Sequence, residues 1–252
     1  MNSNPQDGTS VKKYGLALNT ASRELGLAIS NFAGDSRCQT WNLDRDLATH
    51  LHQYLVEFIG PQTWADLAFI AVAKGPGGFT GTRMGMVTAR TLAQQLDIPV
   101  FAVSTLAAVA WAAPPQPPLA KGGLLNTEPP VGKGGLLNTE PPQPPLAKGG
   151  LLREDIALQM PAQRGQLFGA VYSVNKDSGL TELFPETVMT PESWQEKLDN
   201  WGNSYQLIEV GSELGWSVSS VLELAYLEWQ MGSRPDWSDA LPFYGQHPVK
   251  GH

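Results

Sequence analysis

The residues best placed by type and spacing to do chemistry are Gly75-Pro76-Gly77-Gly78-Phe79-Thr80-Gly81. Glycines around a proline favour tight or left-handed backbone and leave the peptide N–H groups uncovered by side chains. A short apolar run, Ala68 to Ala73, precedes them at strand length. After them, Thr80 is expected to cap a helix running from about Gly81 to Leu96. A glycine loop between strand and helix gathers backbone donors and a helix N-terminus in one place, which is how an α/β protein usually meets an anion. Gly75, Gly77, Gly78 and Thr80 are therefore the candidate phosphate contacts. Neither standard nucleotide pattern fits. No lysine follows the loop as in GxxxxGK, and Thr80 stands where a dinucleotide fingerprint needs glycine, with Asp97 before the next strand instead of after it. The competing reading is a tight turn that lets a helix dock closely on a sheet.

Other chemistry is sparse. His50 and His52 are two apart on a predicted helix and point to different faces, while His247 and His252 lie in the tail, so no metal pair is expected. No GxSxG elbow is present. No catalytic residue is assigned. The single cysteine, Cys38, excludes an intrachain disulfide and a zinc-finger framework and suits a reducing cytoplasm. A net charge of −7 argues against a surface that grips nucleic acid by itself. The most membrane-like run, Ile98 to Ala113, is short of a bilayer span and broken by Pro99, Ser104 and Thr105, and the N-terminus lacks the apolar core of a secretory signal. With 42% hydrophobic residues the chain can bury a real core.

The elements that must position the glycine loop follow from periodicity. Residues 1–12 read as a disordered leader. Tyr14 to Asn19, Leu25 to Ser30 and Arg37 to Leu43 read as three strands of an antiparallel meander, and Asp44 to Gly60 as an amphipathic helix carried by Leu47, Leu51, Leu55, Phe58 and Ile59. The order is β, β, β, α, β, α, β, α, a half-domain spanning 13–113. Then the composition changes. PPQPPLAKGGLL at 114–125 recurs at 141–152, and KGGLLNTEPP at 121–130 recurs at 133–142, so 114–152 reads as a disordered Pro/Gly-rich insertion. A second half-domain, 153–252, is expected to hold strands over Arg153 to Met160, Leu167 to Val174, Leu180 to Met189 and Tyr205 to Val210. Its helices are a Thr190-capped one from Pro191 to Trp201 and another from Ser217 to Met231. On the helix after the glycine loop, Gly81, Gly85 and Ala89 leave a stripe almost free of side chains, with Met84, Thr88 and Leu92 beside it. Such a stripe can meet another protein or its own sheet.

Four stretches carry a resemblance. GPGGFTGTRMGMVTARTLAQQLDIPVFAVSTLAAVA resembles the GPGSFTGLRIG segment of the bacterial TsaB (YeaZ) family, with Gly78 and Thr82 as departures. LALNTASRELGLAI is similar to that family's LALDTSTE, with Asn19 in place of the usual acid. MPAQRGQLFGAVY resembles DARRGEVYAAVY, retaining Arg164-Gly165, with Gln163 where an arginine is common and Gln166 in place of the acid. The C-terminal ALPFYGQHPVK resembles PVYLRNPV, with Tyr244-Gly245-Gln246 replacing YLR. The resemblance implies an actin-like (ASKHA) α/β fold of two half-domains, each a mixed sheet flanked by helices. It implies a cytoplasmic, non-catalytic scaffold in tRNA threonylcarbamoyladenosine biosynthesis. Its partners would be a TsaD-like transferase and a TsaE-like ATPase; it would pair with itself when alone, meet tRNA only indirectly, and have ATP or ADP at the partner junction. The pairing surface would be the helix of Gly81, Met84, Gly85, Thr88, Ala89 and Leu92 together with Asp44 to Gly60. The alternative is a small ATPase or peptidase acting alone, against which Asn19 counts, since a carboxamide lacks the charge a magnesium site needs.

Overall fold

Strand residues here alternate between two apolar faces, and that alternation sets the layers. The computed structural model describes residues 13–113, 155–175, 179–243 and 245. The expectations placed on the leader, on the repeats, on Tyr244 and Gln246, and on His247 and His252 lie outside the described residues. Strands β1 (Tyr14–Asn19), β2 (Glu24–Ser30), β3 (Ser36–Asn42), β4 (Leu67–Ala73) and β5 (Val100–Val103) form a first sheet in the order β3-β2-β1-β4-β5. Its first three strands are the expected antiparallel meander, and β4 and β5 add in parallel. Strands β6 (Asp155–Pro161), β7 (Leu167–Asn175), β8 (Gly179–Met189) and β9 (Tyr205–Glu209) form a second sheet, β8-β7-β6-β9, in which only β6 and β9 run parallel. Both sheets are mixed.

Leu16, Leu18, Ile70 and Val72 point to one side of the first sheet, where they join Leu51 and Leu55 of α1 (Leu47–Ile59) and Met86 and Ala89 of α2 (Phe79–Leu96). The intervening Ala17, Phe69, Ala71 and Ala73 point the other way, onto α3 (Thr105–Ala112) and α5 (Val218–Gln230). Helix α3 is buried on all sides, because Ile156, Leu158, Ala170 and Tyr172 of the second sheet lie across it in the same core. The outer face of the second sheet is closed by α4 (Pro191–Asp199), whose Trp194 and Leu198 pack on Ala157 and Val171. The layers thus run α1/α2, sheet, α3/α5, sheet, α4, two mixed sheets flanked by helices as expected.

Three details depart from the sequence reading. Helix α1 starts at Leu47, after a 3-10 turn over Asp44–Asp46. Helix α2 starts at Phe79 with Gly78 at the cap position, so Thr80 lies inside the first turn and caps nothing. Tethering of the Gly78 N–H to the Ala21 carbonyl, at 2.6 Å, turns the chain into helix earlier than Thr80 would. Helix α5, although part of the C-terminal half of the sequence, packs on β1, β2 and β4 of the first sheet. The Thr190 cap of α4 is as expected, its hydroxyl accepting the Ser193 N–H, with Pro191 opening the helix.

The second sheet depends on one large side chain. Trp194 is 2% exposed, donates its indole N–H to Gln159 Oε1 at 3.0 Å, and lies so close under β7 that a Cβ on Gly169 would overlap its ring. Trp194→Ala is expected to lower the free energy of unfolding by about 3–5 kcal/mol, the usual cost of emptying a large aromatic site. The shift is read from urea titration followed by far-UV circular dichroism.

Candidate functional site

The glycine loop joins β4 to α2, and its glycines are explained by what lies against them. Gly75 has φ of +101°, a conformation that L side chains rarely adopt, and its carbonyl accepts the Thr105 N–H at 2.8 Å. A Cβ on Gly77 would overlap the Ala21 carbonyl; one on Gly81 would overlap the Thr20 carbonyl; one on Gly85 would overlap the Thr20 hydroxyl. The Thr20 hydroxyl donates to the Gly81 carbonyl at 2.8 Å. The loop and the first two turns of α2 are therefore a seat for the turn between β1 and β2.

The same contacts bear on Gly75, Gly77, Gly78 and Thr80, the expected phosphate contacts. The Gly78 N–H, the donor placed best for an anion, is satisfied by Ala21 of the same chain. Gly75 is covered by Phe243, whose N–H donates to the Lys74 carbonyl at 2.7 Å, and Gly77 by Ala21. Thr80 is exposed; with Gly78 and Gly81 it lines an open pocket of about 390 Å³. The other walls of that pocket are mainly apolar, with Leu47, Met84 and Leu214 beside Arg23 and Arg45. Arg23 Nε stands 3.5 Å from the Asp44 carboxylate.

Asn19 ends β1 and is fully buried. Its Nδ2 donates to the Leu214 carbonyl at 2.7 Å and to Ser217 Oγ at 3.0 Å, and its Oδ1 accepts the Ala21 N–H at 3.0 Å. The Ser217 hydroxyl in turn donates to the Leu214 carbonyl at 2.9 Å. Two oxygens here require donors, and a carboxylate has none to give. The Asn19 amide thus ties the end of β1 to the segment entering α5. The sequence singles out Asn19, but its partners lie nearly two hundred residues away and leave no local trace.

The bare stripe of α2 faces inward. Gly85 and Thr88 are buried and Ala89 is fully so, while Met84 and Leu92 are partly buried against the core beneath α1 and α2. Gly81 lies under Thr20. Of the expected pairing set, Gly85, Thr88 and Ala89 are covered by the chain's own turn and sheet, while Gly81, Met84 and Leu92 stay partly exposed. The outward side carries different residues: Val87 at 62% exposure and Phe79 at 56%, with Arg83 5.2 Å from the Phe79 ring, and Val56 at 62% on neighbouring α1. Val56 and Val87 are out of phase with the core positions of their helices, and that is the signal the sequence offered. Among the described residues no group of three or more His, Cys, Asp and Glu is placed to hold a metal ion.

A family model described as TsaD, tRNA N6-adenosine threonylcarbamoyltransferase, matches residues 59–121, the stretch holding β4, the loop, α2, β5 and α3. A tRNA threonylcarbamoyladenosine biosynthesis protein TsaB from Bacillus subtilis is 58% identical over 45 residues, 18% of this chain and 20% of that protein. Another, from Buchnera aphidicola, is 24% identical over 168 residues, 66% of this chain and 61% of that protein. YeaZ from Pseudomonas aeruginosa superposes over 92% of this chain and 99% of its own, with a TM-score of 0.63 at 19% identity.

The chain is similar to proteins named TsaB and YeaZ. The matched stretches span less than two thirds of either curated TsaB relative's length. The seat and the Asn19 clasp make two substitutions informative. Gly81→Ala is expected to cost about 1–3 kcal/mol of stability by overpacking, whereas Gly202→Ala, which meets open space, should be near neutral. Asn19→Asp is expected to cost about 3 kcal/mol or more, because a buried charge loses both donors. Denaturant midpoints of the three variants at one pH check the ranking.

Proposed function

We propose that this chain is a non-catalytic subunit of tRNA threonylcarbamoyladenosine biosynthesis that binds a TsaD-like transferase through the outward side of α1 and α2. The observation that carries this reading is the set Val56, Phe79 and Val87. These are large apolar side chains exposed on the neighbouring helices α1 and α2, with Arg83 beside Phe79. The names of the TsaB relatives supply the pathway. A scaffolding role is supported by the glycine loop, whose best anion donor is bound to the chain's own turn, and by Asn19, whose amide is held in a structural clasp.

In this reading the same face pairs two copies when no transferase is present, and a TsaE-like ATPase joins the assembled pair. The net charge of −7 leaves tRNA to the partner. ATP or ADP at the subunit junction would lie in the open pocket next to Thr80, which adjoins the starts of α1 and α2. Among the described residues no helix is long and apolar enough to cross a membrane.

The test is co-purification with the TsaD of the same organism. Val56→Asp combined with Val87→Asp should weaken the complex at least about 30-fold, the loss of about 2 kcal/mol expected of a buried hot spot, while the circular dichroism spectrum stays that of the parent. Undiminished binding by the double variant would remove these helices from the interface. ATP turnover by the isolated chain would overturn the scaffold assignment.

A further inference from the structure

The junction between the second sheet and α3 is largely apolar and holds a cluster of hydrogen-bonded polar side chains. Glu186 of β8 accepts hydrogen bonds from two hydroxyls on the same carboxylate oxygen: that of Ser104, the residue capping α3, and that of Tyr172 on β7, at 3.0 Å. Ser104 Oγ also accepts the Ala107 N–H at 3.0 Å, so one atom both caps the helix and holds the strand. Tyr172 is 2% exposed and belongs to the core shared by both sheets. The charged groups that bear on the carboxyl are Lys74 at the end of β4, which favours its ionised form, and Glu182 on β8, which opposes it. Glu228 on α5 faces Lys74 as well, so one cation serves two partly buried carboxyls. No step of the proposed function uses this cluster.

We propose that Glu186, Ser104 and Tyr172 form a proton-operated latch between the second sheet and α3. Burial pushes the Glu186 carboxyl from its ordinary 4.5 up to about 7, against the opposing pull of Tyr172 and Lys74. The junction therefore gains or loses a proton near neutral pH. Protonated, the carboxyl is neutral and closes the junction without desolvating a charge. Ionised, it places a charge in a water-poor seam held by two hydroxyls and a shared lysine, and the contact between sheet and helix weakens. Lys74 immediately precedes the glycine loop, and the Gly75 carbonyl accepts from Thr105 at the start of α3, so the latch abuts the seat of the β1–β2 turn.

The sign follows from proton counting. Between pH 4.5 and about 7 the folded chain holds a proton at Glu186 that the unfolded chain has lost. The stabilisation is complete below 4.5, declines as pH rises through this window, and is gone above it. Over the window this one group raises the unfolding equilibrium constant by up to about tenfold per pH unit.

Urea unfolding of the full chain at pH 5.5, 6.5, 7.5 and 8.5 tests the latch, comparing the parent with Glu186→Gln, whose amide oxygen still accepts from both hydroxyls. The parent midpoint should fall between pH 5.5 and 7.5. In Glu186→Gln the ratio of unfolding constants at those two pH values should shrink at least about tenfold, and the variant should be the more stable protein at pH 8.5. Hydrogen exchange of the parent, corrected for intrinsic pH dependence, should show faster opening of 183–189 and 105–112 at the higher pH. A Glu186→Gln profile parallel to that of the parent, or exchange in those segments that is insensitive to pH, would overturn the proposal.

Discussion

The close seating of Thr20 and Ala21 on the bare side of α2 is the contact on which the rest of the molecule depends. It requires no side chain at 77, 81 and 85, and it uses an N–H that would otherwise be free to meet an anion at the start of α2. Once the turn is fixed there, Asn19 just before it is aimed at Leu214 and Ser217 and draws the start of α5 onto the first sheet. The glycine loop, the turn and the last helix are thus one mechanical unit. Its rigidity comes from backbone contact, which is shorter and less adaptable than contact through side chains.

The same economy of space governs the middle layer. The first sheet turns alanines, Ala17, Ala28, Ala71 and Ala73, toward α3 and α5, and α3 answers with Ala107, Ala108 and Ala110. Small residues on both sides bring sheet and helix close, so α3 can be covered by a second sheet on its far side and still lie in one continuous core. Against that apolar background the Glu186 cluster stands out, because a charge there is worth more than it would be on the surface.

Order and type of element were readable because the periodicities are strong: alternation in the meander, a three-and-four repeat in α1, and a strand-loop-helix boundary marked by glycine and proline. The direction of the α2 stripe was not readable. A row of small residues records that something approaches closely; whether that neighbour is Thr20 or another protein is a matter of tertiary placement. Thr80 looked like a cap because its type is right, yet the bond from Gly78 to Ala21 starts the helix earlier. The return of α5 and the latch were equally hidden, since Ser104 and Glu186 are 82 residues apart and neither sits in a local motif.

Helix α2 therefore holds two kinds of information. Its glycines, which dominate the motif shared with relatives, specify an internal fit that would be the same whether the protein worked alone or in company. What points to company is the opposite side, where Val87 and Phe79 remain in water with Val56 on the next helix. An apolar side chain out of phase with its own core gains little from the folded monomer, and several on adjoining helices favour the reading of a surface that a partner covers. A rigid inner face is what makes such an outer face useful. Because the seat fixes the N-terminal turns of α2, the exposed groups meet a partner already ordered, and less freedom is lost on association.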